Sequence, residues 1–236
     1  ALPSVEVATP LSERVVDWDD YSGRFDWNPR EDDQVTGRWQ YTRQIFAADD
    51  LVIGERADQN NKQQNIGTTW THLFSPETVG EFRYGLGLRT TLVNIAAGND
   101  TPVIRFQNPA AVAGGSIIGN AGGFPIQRYQ TDHQFVYNLS TLSGNHFFKA
   151  GTDIRRQNLD DLADSNSRGF YNFSAASCDA INYGSGLNAF LNGCVAAFTK
   201  GFGPFFLENR INESNFYAED NWKIRSNFTL NLGLRY

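Results

Sequence analysis

Two cysteines, three histidines and a run of aspartates are the side chains here whose types could support chemistry. Cys178 and Cys194 stand 16 positions apart, without the Cys-x-x-Cys spacing or the neighbouring histidine that a metal or redox pair uses. In oxidising surroundings such a pair closes its loop as a disulfide, worth about 3 kcal/mol through reduced unfolded-state freedom. His72, His133 and His146 occupy separate segments with no ligand spacing. Asp160, Asp161 and Asp164 lack the Asp/Gly pattern of a calcium loop and read as a solvated acidic stretch. There is no Gly-x-Ser-x-Gly and no Gly-rich phosphate loop leading into a helix. No enzyme activity, cofactor or metal is expected.

The other charges are spaced for architecture. Arg83, Lys149, Asp153, Arg155, Glu219 and Lys223 sit in segments that alternate polar with apolar residues. A period of two puts all polar members of such a segment on one side of a strand. The clearest case is the end of the chain. There Phe228, Leu230, Leu232, Leu234 and Tyr236 alternate with Thr229, Asn231, Gly233 and Arg235. Before them Phe216, Ala218, Trp222 and Ile224 alternate with Tyr217, Glu219, Asn221 and Lys223, and Arg225-Ser226-Asn227 makes the turn. Strands that are apolar on one side and charged on the other suit a wall between lipid and a water-filled lumen. Neighbouring strands are expected to pair these lumen-facing charges, with direct contact to a solute as the other role open to them.

Composition fits that wall. The 236 residues could form one large β domain, aromatic residues make up 14% and Gly numbers 22. A net charge of −6 leaves no basic footprint for nucleic acid. No apolar run reaches the roughly 18 residues of a membrane helix. A mean hydropathy of −0.44 does not argue against a membrane, because half of every barrel strand is polar. Residues 1–20 lack the basic start and apolar core of a signal peptide, and the first residue is Ala. The chain reads as processed, or as a piece of something longer.

Along the sequence, tight turns alternate with long loops. An irregular leading segment, 1–20, precedes a β segment, 21–236, with long loops at about 45–60, 94–125 and 159–209. Strands are expected at Tyr21–Asn28, Val35–Gln44, Asn61–Phe74, Val79–Val93, Gln127–Leu142 and His146–Asn158, followed by the closing hairpin. Turn chemistry at Ser75-Pro76-Glu77-Thr78 and Ser143-Gly144-Asn145 separates them. Inside the last loop, Tyr183–Lys200 has the spacing of a short amphipathic helix, and Arg168–Ser174 reads as a strand rising above a membrane. The loop aromatics are expected to pack a small core of their own, the other role being a ligand platform. The fold class is all-β: an up-and-down antiparallel transmembrane β-barrel segment of about eight long strands with long extracellular loops.

The stretch from Ser214 to Ile224 and the strand Phe228-Thr229-Leu230-Asn231-Leu232-Gly233-Leu234-Arg235-Tyr236 closely resemble the barrel of TonB-dependent outer-membrane receptors. The nearest resemblance is to the subgroup with an N-terminal carboxypeptidase-regulatory-like domain. Phe216, Asp220, Trp222, Leu230, Leu232, Gly233, Leu234, Arg235 and Tyr236 carry it most sharply. Tyr21–Trp27 and Phe148–Arg155 resemble the family more loosely. The resemblance implies a bacterial outer membrane and uptake of a bulky, scarce solute (a siderophore, vitamin, glycan or peptide) driven by inner-membrane energy. It implies as partners the membrane lipid, the remaining barrel and plug, and the TonB system through parts absent from this chain. Members have about 22 strands, so the chain resembles an internal stretch of the barrel. Asp220 shares the face of Phe216 and Trp222, a placement costly at mid-depth in lipid and tolerable near a rim.

Two other readings belong to different classes. One is a complete small barrel acting as a passive pore or anchor. The other is a structural fragment whose open strand edges self-associate into a sheet or fibre.

Overall fold

Four tight turns organise the chain. In one, Ser75 Oγ accepts the Glu77 N–H at 3.2 Å. Another passes through Gly144 at a positive φ of 58°, which glycine adopts without strain. A computed structural model describes residues 15–46, 57–95, 101–107, 116–119, 123–163, 166–175 and 181–236. Its elements in chain order are β1 (Val16–Arg30), β2 (Asp33–Phe46), β3 (Asp58–Ser75), β4 (Thr78–Asn94), β5 (Val103–Phe106), β6 (Ser116–Ile118), β7 (Ile126–Ser143) and β8 (His146–Ala163). They continue with β9 (Phe170–Phe173), α1 (Gly186–Leu191), β10 (Ala197–Thr199), β11 (Phe206–Arg225) and β12 (Phe228–Arg235). The eight long strands make one antiparallel sheet in the order β1-β2-β3-β4-β7-β8-β11-β12, the up-and-down arrangement expected from the alternation.

The strands run further than their alternation alone suggests. β1 begins at Val16, inside the stretch read as an irregular leading segment, and β8 continues to Ala163 while β11 starts at Phe206. Both trim the long loop expected at 159–209. The reason is that the ladder continues beyond the point where one face stays apolar, with polar residues on both faces. Residues 1–14, Asp164 and Cys178 lie outside the described residues.

Ladder register fixes the tilt. Asp33 pairs with His72, three rows above the Ser75–Thr78 turn pair. Thr78 pairs with Thr141, two rows above Ser143–His146, and His146 with Trp222, three rows above Arg225–Phe228. The turns therefore descend by eight rows over six strand steps, always in the same direction. With about 3.3 Å per row and 4.8 Å between strands, this is a tilt of about 40° from the perpendicular to the line of the turns, inside the range of membrane barrels.

The long loops build a second, smaller sheet in the order β10-β9-β5-β6, with β5 and β9 parallel. The strand read at Arg168–Ser174 exists as β9 but belongs to this sheet and does not extend the large one. The helix is shorter than the Tyr183–Lys200 spacing suggested. It covers six residues, capped by Ser185, whose side chain accepts the Asn188 N–H at 3.2 Å. It ends at Asn192 and Gly193, where φ is +68°, and Ala197–Thr199 then pairs with β9. Gly186 opens the helix against the ends of β5 and β9, where an added Cβ would meet the Phe173 and Gln107 backbone at 2.5–2.6 Å. Phe106, Phe173, Ala189 and Cys194 form the core, with Ile104, Tyr171, Tyr183, Phe190 and Val195 around it. Nearly all the fully buried apolar side chains among the described residues are in this loop subdomain; in the large sheet only Val93 joins them.

One contact in the large sheet crosses three strands. Tyr217 of β11 lies over Gly151 of β8 and donates its hydroxyl to Asn138 Oδ1 of β7 at 2.9 Å. A Cβ at Gly151 would stand 2.5 Å from the Tyr217 ring and 2.7 Å from the Tyr137 carbonyl. Gly151→Val is therefore expected to destabilise the sheet by about 1–3 kcal/mol, the usual cost of overpacking. A lowered urea midpoint for the chain folded into lipid vesicles, against an unchanged midpoint for Gly67→Ala in open space, checks this.

Candidate functional site

The registers sort every long-strand residue onto one of two faces. Leu230, Leu232 and Leu234 share a face with Trp222, Asp220 and Ala218. Through the ladders that face continues across Phe148 and Ile154, Phe135 and Tyr137, Phe82 and Tyr84, Ile66 and Trp70, Trp39 and Tyr41, and Tyr21 and Phe25. Outside the rows nearest the turns it carries apolar and small side chains up to Tyr21, Tyr41, Ile66, Leu88, Phe135, Ile154 and Phe216. These residues lie eight to ten positions from their own turns. At the tilt derived above, the band is about 20–25 Å tall, the thickness of the outward apolar band of a membrane barrel.

Among the described residues no protein covers this band. Trp27, Trp39, Phe74, Phe148, Phe216 and Leu232 are 42–59% exposed. In water each would forgo much of the roughly 1.5–3 kcal/mol that burial of such a side chain supplies.

The opposite face is polar, and all six charged residues singled out above lie on it: Arg83, Lys149, Asp153, Arg155, Glu219 and Lys223. Their pairing differs from expectation. Arg24, Arg83 and Arg155 pair along their own strands, at Arg24–Asp26 (2.8 Å), Arg83–Glu81 (2.7 Å) and Arg155–Asp153 (2.9 Å), while Arg128 of β7 pairs across the ladder with its register partner Asp161 of β8 at 2.9 Å. Residues i and i+2 share a face about 6.6 Å apart, which an arginine spans easily. Hydroxyls and amides make further cross-strand links. Thr36 donates to Asp26 at 2.9 Å, Gln134 to Asp153 at 3.0 Å, and Asn138 to Glu81 at 3.4 Å. Glu219 and Lys149 are register partners, yet the Lys149 ammonium sits 5.1 Å from the centre of the Phe147 ring. Lys223 donates its backbone N–H to the Asn145 carbonyl at 2.8 Å, beside the turn.

Two hollows open on this polar face. One, of about 720 Å³, has a floor of Gly67, Gly85 and Gly87 between Arg38 and Gln40 on one side and Asp132 and Gln134 on the other. Added Cβ atoms there would meet nothing closer than 3.7 Å, so the glycines are not demanded by packing within the sheet. The other, of about 520 Å³, lies among Asn138, Asp153, Asn215, Tyr217, Glu219 and Arg235.

Near the turns the apolar face carries two Asp–His pairs. Asp33 Oδ1 lies 2.8 Å from His72 Nδ1 and accepts the Trp70 indole N–H at 2.8 Å. Asp220 lies 2.8 Å from His146 Nδ1, and His146 is stacked between Phe148 and Trp222. Asp220 is thereby placed within five positions of the Arg225 turn. These pairs were not anticipated. The signal available was a His within four positions of a turn, opposite a strand with a lone Asp on its apolar face. Among the described residues no group of three His, Cys, Asp or Glu side chains could hold a metal ion.

Residues 6–236 match the model of the outer membrane β-barrel domain family. The chain belongs to that family. The crystal structure of the outer membrane transporter YddB from Escherichia coli is similar, with a TM-score of 0.50 at 14% identity, over 94% of this chain. The chain spans 27% of the length of that transporter. No curated protein sequence matches it.

In this outer-membrane barrel domain the apolar band faces the lipid of the bacterial outer membrane, and the polar face looks away from it. Among the described residues no helix is long and apolar enough to cross a membrane, and the crossing is made by strands. In barrels of this kind short turns face the periplasm, which puts the Asp–His pairs at the periplasmic rim and the loop subdomain outside the cell. The motif residues Phe216, Asp220, Trp222, Leu230, Leu232 and Leu234 lie on the lipid side, and Gly233 and Arg235 on the polar side. Tyr236 joins the lipid side through paired backbone bonds with Phe216.

Leu232→Cys in lipid vesicles is expected to react far more slowly with a charged thiol reagent than Asn231→Cys, its immediate neighbour. Equal rates would overturn the assignment of faces.

Proposed function

We propose that this chain is part of the wall of a TonB-dependent receptor that takes up a bulky, scarce solute with energy from the inner membrane. The observation that carries the reading is the polar face. It is broad, charged and hollowed, where a closed eight-stranded barrel would have its interior filled by side chains. The motif of the final hairpin and the likeness to a transporter about three and a half times as long support it. On this reading Arg83, Lys149, Asp153, Arg155, Glu219 and Lys223 face the lumen. The plug, the TonB contact and the remaining strands come from further parts of such a receptor. The solute class (siderophore, vitamin, glycan or peptide) is left open, and catalysis has no part in the reading.

The edges of the sheet favour a second reading. Among the described residues β1 and β12 have one ladder partner each, so each offers a free row of N–H and C=O groups to another strand. In a receptor the remaining barrel strands occupy them; in isolation a second copy would.

In cells carrying the natural protein, uptake of a labelled solute is expected to collapse when an uncoupler dissipates the inner-membrane gradient. Uptake that persists would point to a passive barrel.

We also propose that Cys194 is bonded to Cys178. Cys194 is 2% exposed in the loop core, and no free cysteine occurs among the described residues. A non-reduced digest is expected to give one linked peptide containing both cysteines; two free thiols would refute the pairing.

A further inference from the structure

The outward face changes character abruptly above the apolar band. The next outward residue after Tyr41 is Arg43, and after Ile154 it is Arg156; on β3, Gln64 and then Lys62 follow Ile66. Arg43 and Lys62 are direct register partners, so two cations stand opposite each other on neighbouring strands. Like charges so placed destabilise a ladder unless an anion lies between them. Asp19 offers only partial relief, 3.6 Å from Arg43 with both side chains more than 40% exposed. Among the described residues neither Lys62 nor Arg156 has a carboxylate within ion-pair distance. Arg156 stands opposite His133, which is engaged with the Tyr84 hydroxyl at 3.0 Å. Among the acids higher on this face, Asp160 and Glu208 are both held by Arg210. At the level where acyl chains end, the outward face thus presents three cations, Arg43, Lys62 and Arg156, and two carboxylates, Asp19 and Asp17, both on β1 at the edge of the sheet. The opposite rim, near the turns, has its outward acids Asp33 and Asp220 paired with histidines.

We propose that Arg43 with Lys62, and Arg156 separately, bind phosphate-bearing lipid headgroups of the outer leaflet, whose acyl chains lie along the apolar band below. The aromatic residues directly beneath fit this depth: Tyr21 stacks on Tyr41, and Tyr41 on Trp39. Rings of this kind belong at the boundary between acyl chains and headgroups. The inference rests on membership of the outer-membrane family and is independent of the uptake reading.

The test uses the chain folded into phosphatidylcholine vesicles that contain either bis-phosphorylated lipid A or the same lipid with its phosphates removed. Lipid retained per chain is then counted by native mass spectrometry after transfer to detergent. Selective retention of the phosphorylated lipid is expected, falling roughly fivefold for each cation removed in Arg43→Gln, Lys62→Gln and Arg156→Gln. Lys62→Arg should keep the lipid, and Lys149→Gln on the polar face should not change retention. Equal retention of the two lipids, or an equal loss in Lys149→Gln, would overturn the proposal. So would displacement by inorganic phosphate, which would make the cations a site for a soluble anion.

Discussion

Among the described residues the apolar face of the eight-stranded sheet has no protein layer over it, so the hydrophobic effect that would press another β domain onto a second sheet must here be satisfied by lipid chains. The rest of the structure answers to that. In hydrocarbon every backbone N–H and C=O needs an internal partner, which an unbroken antiparallel ladder provides. The side chains facing lipid must stay apolar over the depth of the acyl layer and no further. The change at Tyr41–Arg43 and Ile154–Arg156 marks where that obligation ends. A conventional core is then needed only in the loops, and there Phe106, Phe173, Ala189 and Cys194 supply one.

The charges obey the same constraint from the other side. On the polar face Arg24, Arg83 and Arg155 find carboxylates two residues away on their own strands, at half-exposed positions where such pairs add little stability. Their contribution is a hydrated, amphoteric surface that threonines and amides knit across strands. The acids on the lipid side are treated differently. Asp33 and Asp220 stay near the turns, and each is covered by a histidine and neighbouring rings. A lone carboxylate at the middle of the band would have neither water nor a partner.

Much of this is legible in the residue order because a strand's face is decided locally. The alternation from Phe228 to Tyr236 places each side chain without reference to any distant contact, and the four turns carry their own chemistry. Asp220 could be assigned to the lipid face from parity alone; its histidine, 74 residues away in sequence, could not. The loop subdomain was only partly readable for the same reason. Its parallel β5–β9 pairing joins segments more than 60 residues apart, each four residues long and too short to show a period. Arg24, Arg83 and Arg155 pair along their own strands because residues i and i+2 lie within an arginine's reach, whereas Arg128 meets its register partner Asp161 across the ladder.

The β5–β9 ladder has a mechanical consequence. β5 follows β4, and β9 follows β8, after connections of eight and six residues. A connection of n residues extends to at most about 3.5 Å times n, so the ladder limits how far the upper ends of those two strands can part. The slack is large, because the two connections reach up to about 28 and 21 Å while β4 and β8 stand about 10 Å apart across β7. The sheet therefore keeps its freedom to flex, and the ladder acts on the loops instead: it holds the small sheet as one body moored to the wall at two separate strands.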